Sequence, residues 1–106
     1  NKNIKLINNK YYVKNKLNID DIFTCYSDAE KNINRKPNPG MIFQAKKKYN
    51  INLKKSYFIG DRWRDVDAGN KSGCKTIFIN RNYNEYLKSK PNYTAKKISE
   101  IYKFIN

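Results

Sequence analysis

Three short apolar runs punctuate an otherwise polar chain: Ile22-Phe23-Thr24-Cys25-Tyr26, Ser56-Tyr57-Phe58-Ile59 and Lys75-Thr76-Ile77-Phe78-Ile79. Their β-branched and aromatic content and their brevity predict strands. Between and after them the apolar period lengthens. Met41, Ile42, Ala45 and Tyr49 mark one face of a helix whose other face is rich in Lys. Arg64 to Lys71 suits a second, short helix stopped near Ser72-Gly73. Ala95, Ile98, Ile101, Tyr102 and Ile105 predict a third, amphipathic helix at the C-terminal end. Ile4, Ile7, Tyr11 and Tyr12 also stand at helical spacing, in a polar and ambiguous segment from Ile4 to Leu17. Ser27 to Asn34 reads as a polar loop and Asn80 to Asn92 as an irregular or partly helical one, and Pro37, Pro39 and Gly40 delay helix until Met41. Strands alternating with helices predict an α/β fold, a Rossmann-like parallel sheet of βαβ units with flanking helices.

Composition narrows the function classes. At 106 residues the chain is one small domain or part of a larger one. The formal charge of +14 raises the question of a nucleic-acid partner. Its Lys residues are spread along the whole chain rather than gathered into a stripe, so a solvated basic surface is the expectation and no nucleic acid is expected. A non-catalytic basic binding module, for nucleic acid or a protein partner, is the competing class. The chain has no His, which excludes a Ser-His-Asp triad and a His-ligated metal site. Cys25 and Cys74 do not make a disulfide framework, and no apolar run reaches the length of a membrane span or signal segment. A reducing, cytoplasmic setting without a membrane partner is expected.

Two loops carry the candidate chemistry. Arg35-Lys36-Pro37-Asn38-Pro39-Gly40-Met41 presents a basic pair on a stretch stiffened by proline. Ile59-Gly60-Asp61-Arg62-Trp63-Arg64-Asp65-Val66-Asp67-Ala68-Gly69 places one carboxylate directly after a strand and another four residues on. In an open parallel sheet, ligands sit outside the carboxyl ends of strands, so Asp61 is aimed at a crevice. Mg²⁺ takes one or two carboxylates plus phosphate oxygens and waters. Asp61 suits that role, and Asp65 either joins it or braces the turn from the start of the helix. Lys36 suits neutralisation of a transferring phosphoryl group. Arg35 can bind an oxyanion bidentately.

Taken together, these motifs resemble the haloacid dehalogenase (HAD) superfamily of phosphatases. Within it they are most similar to the D-glycero-D-manno-heptose 1,7-bisphosphate phosphatases and their histidinol-phosphatase relatives, over about Ile22 to Ile79. The resemblance implies a Mg²⁺-dependent hydrolysis of a sugar phosphate through an aspartyl-phosphate. It implies that Lys36 stabilises the transferring phosphoryl group, that Arg35 and Arg62 meet the sugar phosphate, and that Asp61 ligates Mg²⁺ with support from Asp65.

Two departures from the family pattern stand out. The family's paired Asp-x-Asp motif has no counterpart here, because the only Asp residues before Arg35 are Asp20, Asp21 and Asp28. The expectation is therefore that residues 1–106 form a single partial domain, the C-terminal half of a HAD-like fold, inactive alone. The family's zinc loop is also incomplete: Cys25 stands at its first position, with Ser27, Asn32 and Asn34 at the others. One thiolate does not make a tetrahedral structural site, and no zinc is expected.

Overall fold

The structure, a computed structural model, describes residues 4–7, 10–13, 21, 23–27 and 29–105. Two strands, β1 (Ile4–Ile7) and β2 (Lys10–Val13), form an antiparallel pair in which Ile4 stands opposite Val13 and Ile7 opposite Lys10. A helix α1 (Gly40–Tyr49), a 3₁₀ turn (Leu53–Lys55), strand β3 (Tyr57–Gly60), helix α2 (Trp63–Ser72) and strand β4 (Lys75–Ile79) follow. Strand β5 (Tyr93–Ala95) and a 3₁₀ helix (Ile98–Lys103) complete the order. Strands β3, β4 and β5 lie side by side in that order, all parallel, with Ile59 beside Ile77 and Ile77 beside Tyr93. The parallel α/β architecture is thus the expected one.

The sheet's two faces divide the labour. On one face, Ile77, Ile79 and Ala95 are almost fully buried, with Tyr57, Ile59, Tyr93, Ile101, Phe104 and Ile105 packed around them. The Tyr93 and Phe104 rings stack with centroids 4.6 Å apart and the Tyr57 hydroxyl donates to the Phe104 carbonyl at 3.0 Å. Helix α2 covers the other face with a stripe of Asp65, Val66, Ala68, Gly69 and Ser72, the spacing of one buried helical surface. It stops where Gly73 turns left-handed at φ 90° and donates its N–H to the carbonyls of Gly69 and Asn70. Among the described residues no helix is long and apolar enough to cross a membrane.

Three expectations are corrected. The helical spacing of Ile4, Ile7, Tyr11 and Tyr12 belongs to the β1–β2 hairpin, whose four-residue strands are too short for period alone to separate from a helix. Leu17 lies outside the described residues. Phe23 to Ser27 is irregular rather than a strand, and Ile22 lies outside the described residues. Ala95 belongs to β5, where its burial serves the sheet, and the segment after it is a 3₁₀ helix. That tighter winding leaves Ile98 and Tyr102 at 59% and 79% exposure instead of turning them inward.

The approach of α2 to the sheet depends on Gly69. A Cβ there would stand 2.5 Å from Thr76 Cγ2 and 3.0 Å from Phe58 Cβ, both on the face under the helix. Gly69→Val should destabilise the protein by roughly 2–3 kcal/mol through overpacking. A urea unfolding curve with an unchanged midpoint would contradict this.

Candidate active site

Asp61 and Arg62 leave the carboxyl end of β3, and α2 begins at the next residue. A helix start leaves unpaired N–H groups, and the residue just before this one is Arg62, whose guanidinium has no acceptor to offer. Two carboxylates take over, one from the first turn of α2 itself and one from a distant loop. Asp65 Oδ2 accepts the backbone N–H groups of Asp61 and Arg62, both at 3.1 Å. Glu85 Oε1 accepts the backbone N–H of Trp63 at 3.0 Å. Asp65 turns back so far that a Cβ on residue 60 would lie 2.3 Å from its own Cβ. Gly60 is therefore required for the close approach of this carboxylate.

Asp65 also reaches the other loop. Its Oδ1 accepts from Lys36 Nζ at 2.5 Å, an ion pair in which the Asp65 side chain is 9% exposed and that of Lys36 41%. Arg64 Nη1 donates to the Lys36 carbonyl at 3.4 Å, a second tie between the loops. The Lys36–Pro37 peptide is cis. The basic loop is held by its own amides: Asn38 Nδ2 donates to the carbonyls of Glu30 and Asn32, both at 2.9 Å. The Gly40 N–H donates to the Ile33 carbonyl at 2.8 Å. The residues at the zinc-loop positions have partners of their own. Asn32 Oδ1 accepts from the Asn34 N–H, Asn34 Oδ1 from Gln44, and Ser27 Oγ from the Ala29 N–H.

Asp61 is more open, its side chain 35% exposed. Its Oδ2 accepts from the Tyr83 hydroxyl at 3.2 Å and lies 3.3 Å from Arg81 Nε. Arg62 forms a two-bonded fork with Glu85, Nε to Oε1 at 3.1 Å and Nη2 to Oε2 at 2.9 Å, and sits 5.0 Å above the Tyr83 ring. This partnership holds the Glu85 carboxyl below the usual glutamate range, with the Trp63 N–H adding to the effect. The same fork raises the Arg62 guanidinium above its ordinary value. Trp63 is flanked by Lys88 at 3.9 Å and Arg64 at 4.7 Å from its ring centre, so its ring carries two cations.

Of the residues singled out from sequence, Lys36, Asp61, Arg62 and Asp65 are brought to one corner. Arg35 is directed into its own loop, its Nη1 donating to the Ser27 carbonyl at 3.5 Å. The sequence reading missed Glu85, Arg81 and Tyr83, which arrive on the loop between β4 and β5, 20 to 23 residues after the partners they meet. No spacing rule links them. Among the described residues no three His, Cys, Asp or Glu side chains form a ready metal cluster. Asp61 nevertheless fits a hard cation that draws its remaining ligands from phosphate and water, since its Oδ1 has no hydrogen bond among the described residues. Both oxygens of Asp65 are engaged by protein donors.

The HAD-hydrolase-like family profile matches residues 33–101. A D-glycero-alpha-D-manno-heptose-1,7-bisphosphate 7-phosphatase of Photorhabdus laumondii is 49% identical over 42% of this chain and 25% of its own length. A D-glycero-beta-D-manno-heptose-1,7-bisphosphate 7-phosphatase of Helicobacter pylori strain J99 is 43% identical over 58% of this chain and 36% of its own. A Campylobacter jejuni enzyme of the alpha designation is 34% identical over 66% and 40%. The chain thus spans between a quarter and two fifths of these relatives. Among solved structures, a double-mutant thermostable NPPase from Geobacillus stearothermophilus aligns with TM-score 0.48 and 31% identity, over 57% of this chain and 26% of that one.

The lowered Glu85 carboxyl carries a pH consequence. A carboxyl depressed by folding stabilises the folded state above its unfolded value and loses that contribution as pH falls through the folded one. Emission from Trp63, the only Trp, should stay constant down to about pH 5 and change below the ordinary glutamate value of about 4.3. Glu85→Gln should reduce that acid-induced change. An identical acid profile in the variant would separate Glu85 from the Trp63 environment.

Proposed function

The chain belongs to the HAD-hydrolase-like family, and from that membership we propose that its protein is a Mg²⁺-dependent phosphatase acting on a sugar phosphate, D-glycero-D-manno-heptose 1,7-bisphosphate at its 7-phosphate. The observation that carries the reading is the Lys36–Asp65 ion pair, which joins the basic loop to the Asp61 turn across 29 residues of sequence. The names of the similar bacterial enzymes support the substrate.

In this reading the chain contributes one side of the active site. The attacking carboxylate comes from an aspartate outside these 106 residues. Its oxygen forms a bond to phosphorus as the bond to the sugar oxygen breaks, and water then hydrolyses the aspartyl-phosphate. Lys36 neutralises charge on the transferring oxygens, and Asp65 fixes its ammonium in place. Asp61 would hold Mg²⁺, which when bound supplies further charge neutralisation at phosphate. With both its oxygens given to protein donors, Asp65 acts as a brace. Arg62 meets the phosphorylated sugar at the exposed rim, while Arg35, turned into its own loop toward the Ser27 carbonyl, helps shape the basic loop that presents Lys36.

Phosphate release from the heptose bisphosphate by the intact natural protein tests the proposal. Turnover should require Mg²⁺, and Asp61→Asn and Lys36→Met should each lower kcat by about 10²–10³-fold, the cost of losing a charge-stabilising group. Full Mg²⁺-dependent turnover by Asp61→Asn would sink the metal assignment. A fully active Lys36→Met would do the same for the lysine.

A further inference from the structure

The loop between β4 and β5 sends three side chains to the same corner. Arg81 and Tyr83 meet Asp61, while Glu85 meets Arg62 and the Trp63 N–H. The loop is fastened further along by Ser89, which donates to Asp67, and by Asn70, which donates to Ser89 Oγ and the Lys90 carbonyl. It is therefore anchored at the start of α2 and again along it, at Asp67 and Asn70, without sharing the sheet's apolar core.

Arg62 is where this anchoring matters. A guanidinium has five N–H donors in a plane. Glu85 takes Nε–H and one Nη2–H, the bonds along one edge. The Nη1/Nη2 end carries no hydrogen bond among the described residues, and the side chain is 56% exposed. A long exposed arginine normally loses considerable rotamer freedom when it orders on a ligand. Here the fork to Glu85 and the Tyr83 ring beneath hold it beforehand. An arginine gripped along one edge still presents its end to two oxygens of a phosphate.

We propose that Glu85 is a positioning residue for anion recognition: it grips Arg62 by one edge so that the other meets the phosphorylated substrate. This rests on the phosphatase reading above. Glu85 does not touch the substrate and acts only through Arg62. A lysine at position 62, a point charge on a flexible stem, would not be positioned in this way.

Glu85→Gln separates this role from helix capping, because the glutamine oxygen still accepts the Trp63 N–H while the amide nitrogen cannot accept from Arg62 Nη2. Binding of inorganic phosphate to the intact protein in the presence of Mg²⁺ is followed by calorimetry and Trp63 emission. Glu85→Gln should weaken it by about tenfold, the affinity equivalent of the restored rotamer freedom. In an Arg62→Lys background the same change should have no further effect, which is the signature of coupled residues. An equal loss in both backgrounds would mean a general structural role and overturn the proposal. Unchanged affinity in Glu85→Gln, with the unaltered protein binding phosphate, would overturn it too and leave the phosphatase reading standing. Failure of the unaltered protein to bind phosphate at all would remove that reading, and this inference with it.

Discussion

The Asp65 carboxylate is the constraint on which the rest of the site depends. One oxygen holds the turn that follows β3, through the N–H groups of Asp61 and Arg62, and the other holds Lys36 from a distant loop. The residue as a whole is 6% exposed. A carboxylate that buried is costly unless paired and hydrogen-bonded, and taking away one partner of such a pair costs far more than the pair gains. The folded state therefore selects the geometry in which the two loops meet. Gly60 follows from the same requirement, because a side chain at that point would occupy the space of the carboxylate.

The electrostatics of the corner differ from those of the whole chain. Overall the protein carries +14, and its field over longer distances favours approach of anions where salt does not screen it. Locally the charges interleave. Lys36 pairs with Asp65, Arg62 with Glu85 and Arg81 with Asp61. Each cation is thereby given a fixed position at the expense of part of its charge. In the proposed reading, a divalent ion on Asp61 would tip this near-balance strongly positive and so couple the corner's attraction for phosphate to metal.

The parts of this arrangement that were legible in the sequence are those set by short-range rules. Strands β3 and β4 declared themselves through dense β-branched and aromatic runs, and α2 through the Asp-to-Gly stretch that begins after Gly60-Asp61. Lys36, Asp61 and Asp65 followed from their places beside helix starts and strand ends. The three-residue β5 was not legible, since Ala95 continues a helical period into Ile98 and Ile101. Nor were Arg81, Tyr83 and Glu85, which sit in a stretch without period and owe their roles to where the loop folds. Long-range electrostatic partners leave no local signature.

Stability and chemistry overlap unevenly across the two faces of the sheet. The Ile77, Ile79 and Ala95 face carries packing and no candidate group. The α2 face carries both, since Gly69 sets how near the helix lies and Asp65, four residues earlier, sets what that nearness holds together. A change at Gly60, Asp65 or Gly69 would therefore alter fold and site at once. The loop after β4 differs: its polar contacts reach Asp61 and Arg62, while its residues contribute no buried apolar side chain. Substitutions in that loop therefore come at little cost to the core, which makes it the part of this chain best placed to tune what the corner of Lys36, Asp61 and Asp65 binds in the proposed reading.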